Sequence, residues 1–250
     1  MILLPLGTGN GFTKKYFHSN LLINMGSRRL LVDAGTTLRY SLDRAKVPTS
    51  SIDYIFITHL HHDHVGGLSE FLTSCYWRFV SGNHQPHRPT LLLRPSQLEE
   101  IDRLLSPTLN NQGLVWEDYC IPYVMEDGTY TAENYFLSII PSDNLHCEGL
   151  KSCGLKIINQ STGHNVLITG DIKDLANSEL LGQVNHNTQA IIQDLSFSNN
   201  NVHATYEEVL NYYPKNVHEK VYGIHYEDEF NFNKSYRVNI LRQGIALNFE

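Results

Sequence analysis

The strongest constraint on this chain is a group of metal-binding residue types in six consecutive positions, His59-Leu60-His61-His62-Asp63-His64. The group follows the apolar run 54–58 directly, which predicts that it occupies a strand end and the loop beyond it. Imidazole nitrogen and carboxylate oxygen are the usual ligands of zinc-like divalent ions, and ligands this dense can reach two neighbouring ions. Gly66 and Gly67 then allow a tight backbone turn. The alternative is a histidine-rich surface loop that binds metal only by chance.

Later segments contain polar residues that could complete such a site. Asp33 closes the apolar segment 29–32, Asp171 ends 166–171 and His225 ends 221–225, while His146 lies in the polar segment 142–147. Strand ends project side chains from a rigid scaffold into a shared cleft, where binding sites tend to form. We therefore expect these residues to meet the 59–64 segment in one site.

These motifs, in this order, resemble those of the metallo-β-lactamase fold superfamily, and the resemblance extends from segment 6–9 to His225. It implies two divalent ions, with zinc expected and manganese possible. The first ion would be held by His59, His61 and His146. The second would be held by Asp63, His64 and His225. Asp171 would bridge both ions, and Asp33 would orient a ligand through a hydrogen bond.

Length and composition set the broader limits. The 250 residues fit a single domain, 1–250, and 41% of them are hydrophobic, enough for a sizeable core. The net charge of −7 argues against a broad basic groove, so we expect no stable nucleic-acid partner. We find neither a signal peptide nor an apolar segment long enough to span a bilayer, and the four cysteines lack CxxC spacing. These features predict a cytoplasmic protein with reduced thiols and no membrane contact.

The pattern along the chain predicts an α/β fold. Segments 21–24 and 29–32 flank a turn and suggest a hairpin, and further strands are expected at 136–140, 154–158, 166–169 and 190–193. Helices are expected near 37–44, 68–75, 95–105 and 205–213. The resemblance, rather than the periodicity, implies a four-layer αβ/βα sandwich with the metals at one edge. His84 and His87 lie between prolines and polar residues, which favours an exposed loop over another metal site.

Within the superfamily, the chain resembles the tRNA 3′-processing endonucleases. It shares their opening residues 6–9 and 18–20, and His203 stands 22 positions before His225, where those nucleases carry a catalytic histidine. Asp194 stands in place of their glutamate, and Ala204 replaces a serine. The resemblance implies that Asp63 orients the attacking water and that His203, held by Asp194, protonates the leaving oxygen. The alternative for His203 is a purely structural place at a helix entry.

This chain differs from those nucleases in the length of the segment between His146 and Asp171. They usually insert a long arm that grips tRNA between the later histidine and the Gly-Asp motif, whereas here 24 residues separate His146 from Asp171. A small enzyme without this arm resembles the phage-encoded anti-Pycsar phosphodiesterases. That resemblance implies hydrolysis of 3′,5′-cyclic mononucleotides to nucleoside monophosphates, a homodimer, and a location in the host cytoplasm if the gene belongs to a phage.

Base recognition is expected in the irregular segment 81–124. Trp116, Tyr119 and Tyr123 could stack on a base, and packing in the core or in a dimer contact is the alternative.

The alternative functions are those of an RNase Z-like endoribonuclease, a thioesterase and a β-lactamase. The expected lack of export and the carboxylate at position 171 disfavour a β-lactamase. A fold that only sequesters a ligand is disfavoured by the complete ligand set.

Overall fold

The computed structural model describes residues 1–82 and 85–249, and within them two seven-stranded sheets form the centre of the fold. The first six strands are β1 (Ile2–Gly7), β2 (Asn20–Met25), β3 (Arg28–Val32), β4 (Tyr54–Phe56), β5 (Thr90–Leu93) and β6 (Ile121–Val124). The next four are β7 (Thr129–Ala132), β8 (Tyr135–Pro141), β9 (Cys153–Asn159) and β10 (Asn165–Ile168). The last four are β11 (Thr188–Asp194), β12 (Val221–Ile224), β13 (Asn239–Ile240) and β14 (Leu247–Asn248).

The strand order makes each sheet half antiparallel and half parallel. The first sheet has the order β14-β1-β2-β3-β4-β5-β6, and its pairs are parallel from β3 to β6. The second has the order β13-β12-β11-β10-β9-β8-β7, and its pairs are parallel from β10 to β13. The carboxyl ends of parallel strands meet at one edge of a sheet, and ligand sites form there in many α/β folds.

Helices cover the outer faces of both sheets. They are α1 (Leu38–Ala45), α2 (His62–Val65), α3 (Leu68–Val80), α4 (Leu98–Leu109), α5 (Leu180–Gln183) and α6 (Tyr206–Tyr212), with short 3₁₀ helices at Thr49–Ser51, Pro95–Gln97, Trp116–Asp118 and His218–Lys220. None of the helices in the described ranges is long and apolar enough to cross a membrane.

Three apolar clusters hold these layers together. One lies between the sheets and includes Leu30 and Leu155. A second packs the first sheet against α1, α3 and α4 through residues such as Leu72 and Ile101. A third packs the second sheet against α6, where Val209 is fully buried. The order helix, sheet, sheet, helix confirms the predicted four-layer αβ/βα sandwich.

Local sequence patterns predicted many of the strands and helices that the structure contains. The hairpin forms as β2 and β3, and α6 begins with a capping box in which Thr205 and Glu208 exchange hydrogen bonds, as their spacing allows. The helix expected from 68 to 75 continues to Val80, and the one expected from 95 starts as a 3₁₀ turn and ends at Leu109. Strands β1, β5, β6 and β7 were not predicted, and β5 and β6 lie in the segment 81–124 that was expected to be irregular. Strands β13 and β14 were also missed, because two-residue edge strands have no recognisable pattern.

Candidate metal centre

The candidate site lies where parallel strands of both sheets end. Asp33 follows β3, and His59 lies three residues beyond β4. His61 is the N-cap of α2, and Asp63 and His64 lie within that helix. From the second sheet, Asp171 lies three residues beyond β10 and His225 directly follows β12, while His146 comes from the loop after β8. The structure thus brings together all seven predicted ligands because the two sheets pack face to face, and it places His225 against Asp63, 162 positions away in the sequence.

A single carboxylate oxygen stands at the centre of this group. Asp171 Oδ2 lies within 3.2–3.8 Å of the Nε2 atoms of four histidines, at 3.2 Å from His64, 3.4 Å from His225, 3.7 Å from His146 and 3.8 Å from His59. Asp171 belongs to three groups whose possible ligand atoms lie within 4.8 Å of one another. One of them joins it to Asp194, His203 and His225, and the other two match the predicted ligand sets. One set is His59, His61, His146 and Asp171, and the other is Asp63, His64, Asp171 and His225.

These spacings fit residues that share a metal ion. Zinc bonds to nitrogen and oxygen are about 2.0–2.2 Å long, so two ligand atoms of a tetrahedral ion lie roughly 3.3–3.6 Å apart. Nε2 of the fully buried His59 also has no hydrogen-bond partner among the described residues. A buried polar nitrogen without a partner is costly, and a metal ion would satisfy it. The donor set therefore suits two ions that share Asp171.

The electrostatics favour the ligand forms of most of these side chains. His64 is the exception, because burial lowers its pKa but Asp171 and Asp33 raise it well above the ordinary value. Burial lowers the pKa of His59, His61 and His146, which keeps their imidazoles neutral and able to bind a cation. Burial alone would raise the pKa of Asp63, but a hydrogen bond from His225 and nearby imidazoles lower it well below its usual range. Burial likewise opposes ionisation of Asp171, yet the surrounding histidines lower its pKa. Both carboxylates are therefore ionised at neutral pH.

Asp33 supports the site without facing its centre. Its carboxylate accepts hydrogen bonds from His64 Nδ1 at 2.7 Å and from the Thr58 backbone N–H at 2.8 Å. This fixes the His64 ring so that Nε2 points at Asp171. Asp33 and His225 also have positive φ angles, 66° and 69°, which non-glycine residues rarely adopt. Such strain is retained at functional sites when the surrounding fold enforces it.

His203 and Asp194 form a hydrogen-bonded pair beside the ligand group. His203 Nδ1 lies 2.9 Å from Asp194 Oδ2, which also accepts the Ile172 backbone N–H at 2.9 Å. Burial would lower the pKa of His203, but the charge and hydrogen bond of Asp194 raise it to about 9. His203 Nδ1 is 3.8 Å from Asp171 Oδ2. The structure thus places a protonated imidazole next to the candidate metal ligands.

Other contacts that position the site were not evident from the sequence. Arg94 forms a two-pronged ion pair with Asp143, with both N–O distances at 2.6 Å, and this anchors the loop that carries His146. The Val202 carbonyl accepts a hydrogen bond from His146 Nδ1 at 2.6 Å. His18 is buried, with its ring edge-on to that of His62. His18 lies in the opening motif, but nothing local to the sequence pairs Arg94 with Asp143.

The expected base-stacking residues have a different place. Trp116 and Tyr119 are only 2% and 1% exposed and pack in the cluster between the first sheet and its helices. Trp116 Nε1 donates a hydrogen bond to Asp102 at 2.9 Å. Their burial contradicts the stacking prediction for these two residues and favours the core alternative, because no ring face is open to a base. Tyr123 is 44% exposed on the edge strand β6, against Tyr130.

The predicted exposed loop around residue 84 is described only in part. His87 is half-buried, and its Nε2 lies 2.8 Å from the Ile52 carbonyl oxygen. His84 lies outside the described residues.

Comparison with known proteins agrees with this architecture. The short form of human tRNase Z superposes with a TM-score of 0.73 at 14% identity, covering 100% of both chains. The metallo-β-lactamase fold protein YhfI from Bacillus subtilis superposes with a TM-score of 0.76 at 16% identity, covering 98% of both. These likenesses confirm the metallo-β-lactamase fold, and at such identities they show the fold alone.

The sequence relatives are more specific. "Anti-Pycsar protein Apyc1" of Bacillus phage BSP38 is 28% identical over 96% of this chain and 94% of its own length. The protein of the same name from Saccharibacillus brassicae is 29% identical over 98% of this chain and 99% of its own length. A family model described as "Anti-Pycsar protein Apyc1" matches residues 1–245. Because that match spans nearly the whole sequence, the chain belongs to the anti-Pycsar protein Apyc1 family.

Proposed function

We propose that this chain is a dinuclear metal-dependent phosphodiesterase that hydrolyses 3′,5′-cyclic mononucleotides to nucleoside monophosphates. It would act as a homodimer in the cytoplasm and counter bacterial Pycsar immunity. The observation that carries the proposal is the position of Asp171 Oδ2, which lies within 3.8 Å of four imidazole Nε2 atoms. The names of the relatives from phage and bacteria support the biological role.

The residues divide into two metal sites with one shared ligand. His59, His61 and His146 would hold one ion, and Asp63, His64 and His225 the other, with Asp171 between them. When bound, two divalent cations would lower the pKa of water and neutralise the phosphoryl oxygens. A mixed nitrogen and oxygen set suits zinc, and manganese is the alternative that metal analysis would distinguish.

The side chain of Asp63 would orient the attacking water, and the side chain of His203 would supply a proton to the leaving oxygen. Asp63 is buried and ionised, and its carboxylate would accept a hydrogen bond from the attacking water and direct the water oxygen toward phosphorus. The new bond forms between this oxygen and phosphorus as the bond from phosphorus to the 3′-oxygen breaks. His203 donates Nδ1–H to Asp194 and so presents its Nε2 proton to the departing oxygen. A raised pKa suits this role, because the donor must start as an imidazolium.

The structure supports a small substrate rather than a folded RNA. The residues between His146 and Asp171 form β9 and β10, which are internal strands of the second sheet, together with the short connections around them. They therefore provide no projecting arm. A tRNA would also require many phosphate contacts from basic residues, and this chain has 19 of these against 26 acidic ones.

A panel of substrates tests the proposal. The kcat/KM values of the purified protein are measured with cyclic UMP, cyclic AMP, a 2′,3′-cyclic nucleotide, a pre-tRNA and a β-lactam, with Asp171→Asn as the matched control for contaminating activity. We expect the 3′,5′-cyclic nucleotides to react best and Asp171→Asn to be inactive. If the pre-tRNA is preferred by roughly tenfold or more, the chain is an RNA-processing enzyme instead. Light scattering tests the homodimer separately.

A further inference from the structure

Phe12 is unusually exposed for an aromatic residue. Its side chain is 86% accessible, the largest value among the exposed large hydrophobic residues in the described ranges, where Ile245 is next at 57% and Tyr40 follows at 54%. An apolar ring held almost entirely in water contributes little to folding. Single exposed apolar residues are common on protein surfaces, so it is the position of Phe12 near the metal centre that makes it a candidate for contact with a ligand.

The neighbouring residue, Gly11, places Phe12 close to the metal centre. A Cβ atom built on Gly11 would lie only 2.8 Å from Asp63 Oδ2, so the backbone of this loop touches a residue of the site. Adding a bond of about 1.5 Å and a Cα–Cα step of about 3.8 Å puts the Phe12 Cα within roughly 8 Å of that oxygen. The phenylalanine side chain and the sugar of a bound nucleotide could together span this distance.

Hydrogen bonds to the other half of the molecule hold the loop in place. Asn10 Oδ1 accepts the Phe12 backbone N–H at 3.0 Å, and the Asn10 N–H donates to the carbonyl of Tyr226, the residue after His225. Thr13 Oγ1 donates to Asp228 at 2.5 Å. Phe12 is therefore an exposed ring on an ordered loop, which reduces the entropy that binding would cost.

We propose that Phe12 is the base-stacking residue of this site. Its ring face would lie against the base of a cyclic mononucleotide while the phosphate is held near Asp63, Asp171 and their histidines. This inference rests on the proposed function and fills the role that the buried Trp116 and Tyr119 leave open. Stacking depends on a flat π-face rather than on base edges, so purine and pyrimidine substrates should both depend on Phe12.

The test compares Phe12→Ala, Phe12→Tyr and the control Tyr40→Ala, which removes an exposed aromatic ring from α1. Their kcat and KM values are measured with cyclic UMP, cyclic AMP and an abasic 3′,5′-cyclic ribose phosphate. Phe12→Ala should raise KM for both nucleotides roughly 5- to 150-fold, with a smaller change in kcat. Phe12→Tyr and Tyr40→Ala should stay near wild type, and the abasic substrate should react equally with all four proteins.

The outcomes separate the two proposals. Wild-type protein that hydrolyses no cyclic nucleotide refutes the proposed function and the stacking role together. Wild-type activity with an unchanged KM in Phe12→Ala overturns only the stacking role, as does an equal loss on the abasic substrate. Light scattering on each variant tests whether Phe12 instead lies in a contact between two copies of the chain. A raised KM together with a change in oligomeric mass would assign Phe12 to a contact between copies of the chain and overturn the stacking role.

Discussion

Replacing Asp194 with asparagine should produce a defect in hydrolysis that depends strongly on pH. Asparagine keeps the size of the side chain and can still accept from His203 Nδ1, but it removes the negative charge that raises the pKa of this histidine. Burial still lowers this pKa, and the Asp171 carboxylate raises it by less than Asp194 does, so the pKa of His203 should fall toward its ordinary value of 6.5. If His203 is the general acid, the protein then lacks the acidic form at alkaline pH.

The size of the defect follows from the fraction of His203 that is protonated. At pH 8, a pKa of about 9 leaves roughly nine-tenths of the imidazole protonated, whereas a pKa of 6.5 leaves roughly 3%. The rate should therefore fall roughly 30-fold at pH 8 and by roughly 1.3-fold at pH 6. Bound cations would lower both pKa values together, which moves the pH range over which the loss grows to lower pH, so the whole profile is compared rather than one pH value.

The assay is kcat for cyclic UMP from pH 5.5 to 9, with metal content measured in the same samples, because Asp194 Oδ1 also lies 3.5 Å from His225 Nδ1. A nitrophenyl phosphodiester serves as the control substrate, since its leaving group needs no proton. It should react with wild type and Asp194→Asn at similar rates. Equal losses at pH 6 and pH 8, or an equal loss on the nitrophenyl substrate, would refute the general-acid role of the pair.

Three further predictions address the metal site and the core. Mass spectrometry of the wild-type protein should find about two equivalents of metal per chain. His59→Ala and Asp171→Ala should each lose bound metal and hydrolytic activity, and full activity in either variant contradicts the ligand assignment. Asp33→Asn should weaken metal affinity roughly 10- to 100-fold in a chelator competition, because His64 Nδ1 loses its carboxylate acceptor; an unchanged affinity would show that Asp33 does not position His64. Trp116→Ala should lower the free energy of unfolding by ~3–5 kcal/mol in denaturant titrations, because the indole is buried. The KM of the folded variant should change by less than roughly twofold, and a large rise in KM would restore the stacking role of Trp116.

Much of the site could be predicted from the sequence because its chemistry is local. Four metal-binding positions fall within 59–64, and Asp171 and His225 each come directly or shortly after an apolar strand. Residues at strand ends point into the cleft whatever the rest of the fold does, so an apolar run followed by a polar residue is sufficient to identify them. Alternation of strands and helices likewise predicted the α/β class, and most element bounds agreed within a few residues.

The tertiary structure alone decided which aromatic rings are buried and which are open. Segment 116–123 and residue 12 both place aromatic residues among polar ones, yet Trp116 is 2% exposed and Phe12 is 86% exposed. The difference arises because segment 116–119 packs against α3, where the Tyr119 and Tyr76 rings are 4.9 Å apart, whereas no other part of the described structure covers Phe12. Such burial depends on contacts between segments distant in the chain, and these leave no periodic trace in the sequence. The Arg94–Asp143 pair, 49 positions apart, was undetectable for the same reason.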